Sequence, residues 1–128
     1  MRILFLEDEP TIQEVLTEYM KLQGYHVVCA ADGESALKLL KTQQFDMVVL
    51  DIMVPKISGL EVLRYIKEEQ PDLATIMLTA LDDETTQVQA FNLYADDYVI
   101  KPVSPIILLK RMETILRRVK KSAQKEQH

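Results

Sequence analysis

Five short apolar runs alternate along this chain with five segments of helical periodicity, and that alternation limits the fold more than any other feature. The runs are Arg2–Leu6, His26–Ala30, Asp46–Leu50, Ala74–Thr79 and Tyr98–Ile100. Continuous apolar runs of this length suit strands buried on both faces. After the first run, Thr11–Gln23 carries Ile12, Val15, Leu16, Tyr19 and Met20 at helical spacing, with Pro10 suited to a helix start and Gly24 to its stop. Asp32-Gly33-Glu34 opens a second helix with Ala36, Leu37, Leu39 and Leu40 on one side. Ser58 is placed to cap a third, with Leu60, Leu63 and Ile66 inward and Glu61 completing a capping box. Glu84–Leu93 is the fourth helix, and Pro105–Val119 the fifth, with Leu108, Leu109, Met112, Ile115, Leu116 and Val119 inward. Five strand–helix units predict an α/β fold with a parallel sheet and helices on both faces. Right-handed crossovers leave few topologies, and the flavodoxin-like (βα)5 arrangement with strand order 2-1-3-4-5 is the natural one.

That order brings the ends of the first, third and fifth strands together, and those ends carry the chemistry. Glu7 and Asp8 follow the first run, Asp51 the third, and Lys101 the fifth. Ligands collect at the carboxyl ends of strands in such sheets. Three carboxylates brought close raise one another's pKa and cost stability unless a cation joins them. Oxygen-only ligands suit Mg²⁺. Asp51 is the candidate nucleophile, since a carboxylate accepts a phosphoryl group as an acyl phosphate. Phosphoryl transfer then needs positioning and positive charge around the transferred oxygens, which Mg²⁺ and Lys101 would supply. Pro102 follows Lys101 directly, and a cis bond there would aim the lysine back over the sheet end. Thr79 ends the fourth run beside small Ala80, so its hydroxyl is a candidate donor to the phosphoryl oxygens. Tyr98 is expected in one of two positions, buried or out. Pro55 and Gly59 shape the loop after Asp51.

With 128 residues the chain is expected to form one domain, large enough for a core without disulfides or metals. Cys29 is its only cysteine, expected as a small buried residue, and a cytoplasmic location fits best. No apolar run approaches the roughly 20 residues that span a bilayer, and with a strand starting at once no signal peptide is expected. The net charge of −5 is uneven: residues 1–100 hold 7 basic and 18 acidic side chains, whereas residues 101–128 hold 8 and 2. The basic stretch lies in or near the last turns of an amphipathic helix, where cations favour the dipole. It therefore predicts no nucleic-acid contact. Residues 121–128 are polar and are expected as the start of a linker or a disordered tail.

Taken in order and spacing, Leu6-Glu7-Asp8-Glu9, Asp51-Ile-Met-Val-Pro55 with Ser58-Gly59, Leu78-Thr79-Ala80, and Ala95-Asp96-Asp97-Tyr98 leading to Lys101-Pro102 resemble the receiver (CheY-like) domain of two-component response regulators, over residues 1–120. The Asp96-Asp97-Tyr98 stretch and the following helix resemble most the OmpR/PhoB group. The resemblance implies that Asp51 takes a phosphoryl group from a sensor histidine kinase. It implies Mg²⁺ held by Glu7, Asp8, Asp51 and the Met53 backbone carbonyl, Thr79 and Tyr98 as switch residues, and Lys101 as the phosphoryl partner. It implies a regulator that catalyses only its own phosphorylation and dephosphorylation. In that group a DNA-binding domain follows a linker, so the chain is either a standalone receiver or part of a longer transcription regulator.

The resemblance also implies a homodimer through the fourth helix, fifth strand and fifth helix. Asp96, Asp97, Arg111 and Arg118 match charged positions of that face, whereas Gln87, Asn92 and Ile107 stand where charged partners are expected. Ile106-Ile107-Leu108-Leu109 cannot all face inward at 3.6 residues per turn, so Ile106 or Ile107 is expected to be exposed. Tyr94 stands at a helix end where the group usually has glycine, and it falls on the same face.

Two other functions fit less well. An aspartate-dependent phosphatase wants a second acid two residues after its nucleophile, and Met53 is there. A flavodoxin-like cofactor binder wants a phosphate-cradling loop after the first strand, where Glu7-Asp8-Glu9-Pro10 stands.

Overall fold

The structure, a computed structural model, describes residues 1–54, 56–80, 88, 92 and 95–126, the side chains of 120–126 excepted. Five strands, β1 (Arg2–Leu6), β2 (His26–Ala30), β3 (Met47–Asp51), β4 (Ala74–Ala80) and β5 (Asp97–Lys101), form one parallel sheet in the order β2-β1-β3-β4-β5. Among the described residues the complete helices are α1 (Pro10–Leu22), α2 (Gly33–Thr42), α3 (Gly59–Glu69) and a last helix, Pro105–Glu126. Of the expected fourth helix, Glu84–Leu93, the described residues are Val88 and Asn92; both are helical and exposed. Pro55, Gln87 and Tyr94 lie outside the described residues.

Alternation along the strands divides the core in two. Ile3, Phe5, Met47, Val49, Ile76 and Leu78 face α1 and the last helix, packing on Leu16, Met20, Leu108, Met112 and Leu116. Leu4, Leu6, Val48, Leu50 and Met77 face α2 and α3, packing on Ala36, Leu40, Val62, Leu63 and Ile66. Strands covered on both faces have no polar side, which is why the runs are continuous in sequence.

The helix ends follow local chemistry. Glu9 caps α1, its carboxylate accepting from the Thr11 and Ile12 amides at 3.2 and 2.8 Å. Gly24, at φ +90°, supplies the left-handed residue just after that helix. Asp32 caps α2 and Ser58 caps α3, each accepting from the amide three residues on.

Four details depart from expectation. Val62, not Leu60, lies on the buried face of α3 with Leu63 and Ile66, while Leu60 is half-buried. Val119 is exposed rather than inward. The last helix continues past Val119 to Glu126. Cys29 is exposed, because β2 is an edge strand with only α1 beside that position, where the Thr17 hydroxyl lies 3.3 Å from its sulfur.

Candidate functional site

The ends of β1 and β3 are neighbours in the sheet, and Lys101 reaches them from the end of β5 across β4. One carboxylate oxygen from each of Glu7, Asp8 and Asp51 lies within 4.8 Å of the others. Glu7 and Asp51 are buried and Asp8 is exposed, so the cluster opens to solvent on one side. The Lys101 ammonium is hydrogen-bonded to Asp51 Oδ2, and the Lys101–Pro102 peptide bond is cis. Asp51 Oδ1 accepts from the Met53 amide at 3.0 Å, which begins the turn out of β3. The nucleophile candidate is thereby held by both oxygens.

Glu7 carries the electrostatic cost of this arrangement. Burial first, then the neighbouring Asp51 carboxylate, push its carboxyl up to about 8, against the pull of Lys101 and of the Glu9 backbone. Its Oε1 is buried without a hydrogen-bond partner among the described residues. A buried acceptor is normally paired, and one without a protein partner beside two other carboxylates suits a cation ligand. The donors are all oxygens, which is the chemistry Mg²⁺ selects. The residues present therefore fit the ion that the sequence implies.

Thr79 is buried at the end of β4, its hydroxyl donating to the Ala80 carbonyl at 3.4 Å, and it pairs in register with Ile100, next to Lys101. Tyr98 is half-buried against the core cluster on the α2–α3 face, and burial followed by the Asp97 charge raises its phenol above the usual range. The site thus gathers Glu7, Asp8, Asp51, Thr79 and Lys101 at one end of the sheet, with Tyr98 three residues before Lys101. The Met53 side chain is exposed.

Three residues expected on the pairing face, Asp96, Asp97 and Arg111, have side-chain partners within the chain. Arg111 reaches the Asp97 carboxylate at 3.2 Å. The Asp96 carboxylate accepts from the Thr75 amide and hydroxyl at 2.7 and 3.2 Å and sits 4.0 Å from the Lys67 ammonium, so it fastens the start of β5 to β4. Arg118 is exposed. Ile106 and Ile107 are both exposed, at 69% and 52%, as is Ile100 at 43%.

Three further residues support the site without having been singled out from the sequence. The Gln13 side chain, from α1, donates to the Glu7 carbonyl at 2.9 Å. Gly33, at the start of α2, lies against the Ile57 backbone of the loop after Asp51, and Lys56 of that loop reaches the Asp32 carboxylate at 3.8 Å. Only Gly33 left a signal, since glycine one residue into a helix is costly unless something needs the space.

A parallel sheet of this order, with an acidic cluster and a lysine at its carboxyl end, defines a CheY-like receiver. The chain matches the response regulator receiver domain family over residues 3–113 and belongs to that family. It is 44% identical over 118 residues to response regulator RR06 of Streptococcus pneumoniae serotype 2, covering 92% of this chain and 54% of the relative. It is 41% identical over 117 residues to the alkaline phosphatase synthesis transcriptional regulatory protein PhoP of Bacillus subtilis, covering 91% and 49%. Among solved structures, response regulator DrrB, an OmpR/PhoB homolog from Thermotoga maritima, superposes with a TM-score of 0.83 at 38% identity, covering 91% of this chain and 52% of that one. The chain is a receiver domain of the OmpR/PhoB kind and spans about half the length of the curated relatives it matches. No described helix is long and apolar enough to cross a membrane.

Proposed function

We propose that this domain accepts a phosphoryl group on Asp51 from a phosphohistidine of a sensor kinase and thereby switches a surface used for self-association. The observation that carries this reading is the convergence of Glu7, Asp8 and Asp51 within 4.8 Å, with Lys101 bonded to the candidate nucleophile. An Asp51 oxygen attacks the phosphorus, the bond from phosphorus to the imidazole nitrogen breaks, and the imidazole leaves with a proton. Hydrolysis reverses the state: water attacks the same phosphorus and releases inorganic phosphate and the free carboxylate. Glu7, Asp8, Asp51 and the Met53 carbonyl would hold Mg²⁺, which supplies positive charge to the equatorial oxygens when bound. Lys101 supplies the second positive charge, and Thr79 donates its hydroxyl to a phosphoryl oxygen. Tyr98 then moves inward, and the fourth helix, fifth strand and fifth helix present a changed face.

On that face Asp96, Asp97, Arg111 and Arg118, with Gln87, Tyr94 and Ile107, form the contact between two copies. Ile100, Ile106 and Ile107 make it apolar. Residues 1–120 act as the receiver unit in the cytoplasm, and the residues after them lead toward a transcriptional output in a longer protein. The domain itself catalyses only the gain and loss of its own phosphoryl group.

The test is intact mass after incubation with a small acyl phosphate, with and without Mg²⁺, beside an Asp51→Asn control. One added phosphoryl group that needs Mg²⁺ and is lost in the control is the expected result. No mass gain in a folded parent would reject phosphoacceptor function and leave a domain controlled by binding alone.

A further inference from the structure

The loop that leaves Asp51 is seated on the first turn of α2. Ile57 presses its backbone carbonyl into the place where a Cβ on Gly33 would stand, 1.8 Å from that point, with its carbonyl carbon at 2.6 Å. Real Cβ atoms essentially never approach within 3.0 Å of another heavy atom, so any side chain at position 33 would force a retreat of at least 1.2 Å. The contact is backbone on both sides, so no rotamer change relieves it. Lys56, just before Ile57, has φ +67° and extends its ammonium to 3.8 Å from Asp32 Oδ2 and 3.7 Å from Glu34 Oε2. Asp32 uses its other oxygen to cap α2 through the Ser35 amide at 2.8 Å. At its other end the loop is tied to the site, because the Met53 amide bonds Asp51 Oδ1 and the Gly59 amide bonds the Ile52 carbonyl at 3.0 Å.

We infer that Gly33 is a positioning residue for the metal site: by having no side chain it lets Ile57 seat on α2, and the seated loop fixes the backbone at Met53, whose carbonyl would be one of the cation's ligands. This rests on the metal-binding reading above. The residue acts through the loop and touches neither metal nor phosphoryl group. Its position 24 residues before Ile57 makes α2 part of the site's support. Supporting groups of this kind are worth about 10–100-fold in metal affinity.

The test compares parent and Gly33→Ala by calorimetric titration with Mg²⁺, by backbone amide chemical shifts of the metal-free proteins, and by phosphorylation at limiting and saturating Mg²⁺. In Gly33→Ala the Mg²⁺ dissociation constant is expected to rise about tenfold. Shift changes should centre on Met53 to Ser58, and the phosphorylation rate should recover at saturating Mg²⁺. A purely structural glycine would lower stability and leave the dissociation constant unchanged, and that result overturns the inference. A parent that binds no Mg²⁺ overturns the metal-binding reading and this inference with it. Should Gly33→Ala not fold, Lys56→Gln tests the same seat from the surface. Hydrogen exchange at the Met53 and Gly59 amides should speed up while the β3 amides hold, and unchanged exchange there overturns the inference.

Discussion

Metal-free protein should lose stability as pH rises from 5 to 8, and Mg²⁺ should restore it. The cause is Glu7, whose carboxyl is pushed from an ordinary 4.5 to about 8 by burial and by Asp51. Between those values the folded state binds a proton that the unfolded state has released. Stability therefore falls with rising pH, because the unfolded state binds fewer protons. The contribution is fully present below the unfolded value and is gone once pH passes the folded one. The steepest slope for one proton is about 1.4 kcal/mol per pH unit, so the window from 4.5 to 8 sets a ceiling of about 5 kcal/mol. Sharing of the proton with Asp51 and relaxation of the site bring the expected loss to about 2–3 kcal/mol. Urea unfolding followed by circular dichroism, in chelator at pH 5, 6, 7 and 8, measures it. Adding Mg²⁺ should stabilise the protein strongly at pH 8 and weakly at pH 5, since the ion and the proton compete for the same carboxylate. Glu7→Gln should flatten the metal-free profile. A parent profile that is flat across this range, or a Glu7→Gln profile as steep as the parent's, would refute the reasoning.

Other outcomes follow from the same geometry. Lys101→Met leaves buried Asp51 without its ammonium; because Lys101 is partly exposed, the expected cost is about 1–3 kcal/mol in urea unfolding at pH 7. Gly59→Ala would put a Cβ 2.3 Å from the Asp51 carbonyl and 2.8 Å from the Ile52 Cα, so a loss of about 1–3 kcal/mol is expected, and a variant as stable as the parent would contradict that contact. Ser58→Ala should cost about 1 kcal/mol by removing the acceptor for the Glu61 amide, measured the same way. Sedimentation of the phosphorylated domain should show self-association that Ile107→Glu abolishes and that added salt barely weakens; a dimer that falls apart as salt rises would point to ion pairs instead of apolar contact.

Much of this molecule was legible in its sequence because parallel strands buried on both faces leave unbroken apolar runs, and because the acidic cluster and its lysine sit where those runs stop. Asp51 and Lys101 could be paired from the sequence, since parallel strands put both at the same edge of the sheet and a lysine is long enough to reach across the one strand between them. Side-chain exposure was harder to foresee. Leu60 and Val62 exchange places because the buried face of α3 is centred nearer Val62, Leu63 and Ile66, a rotation that depends on how the helix settles against β3. Cys29 is exposed because its strand is the sheet's edge; the expected strand order already placed it there, but an apolar run does not tell how much of an edge residue its covering helix leaves open. The seat of Ile57 on Gly33 could not be seen at all, because it is a contact between two backbones brought together only by the fold. Gly33 stood in the sequence as part of a helix start, and its lack of a side chain had a second reason.

The pairing of Arg111 with Asp97 inside one chain bears on how two copies would recognise each other. If the same groups are to bond across a contact, each copy must first release its own pair. The number of ion pairs is then the same before and after, and the Coulomb energy of association nearly cancels. Such an exchange contributes little affinity. It would fix instead the one rotation at which both released charges find new partners, while the exposed isoleucines would supply the attraction. A face organised this way would stay closed to itself at rest and be directional once engaged.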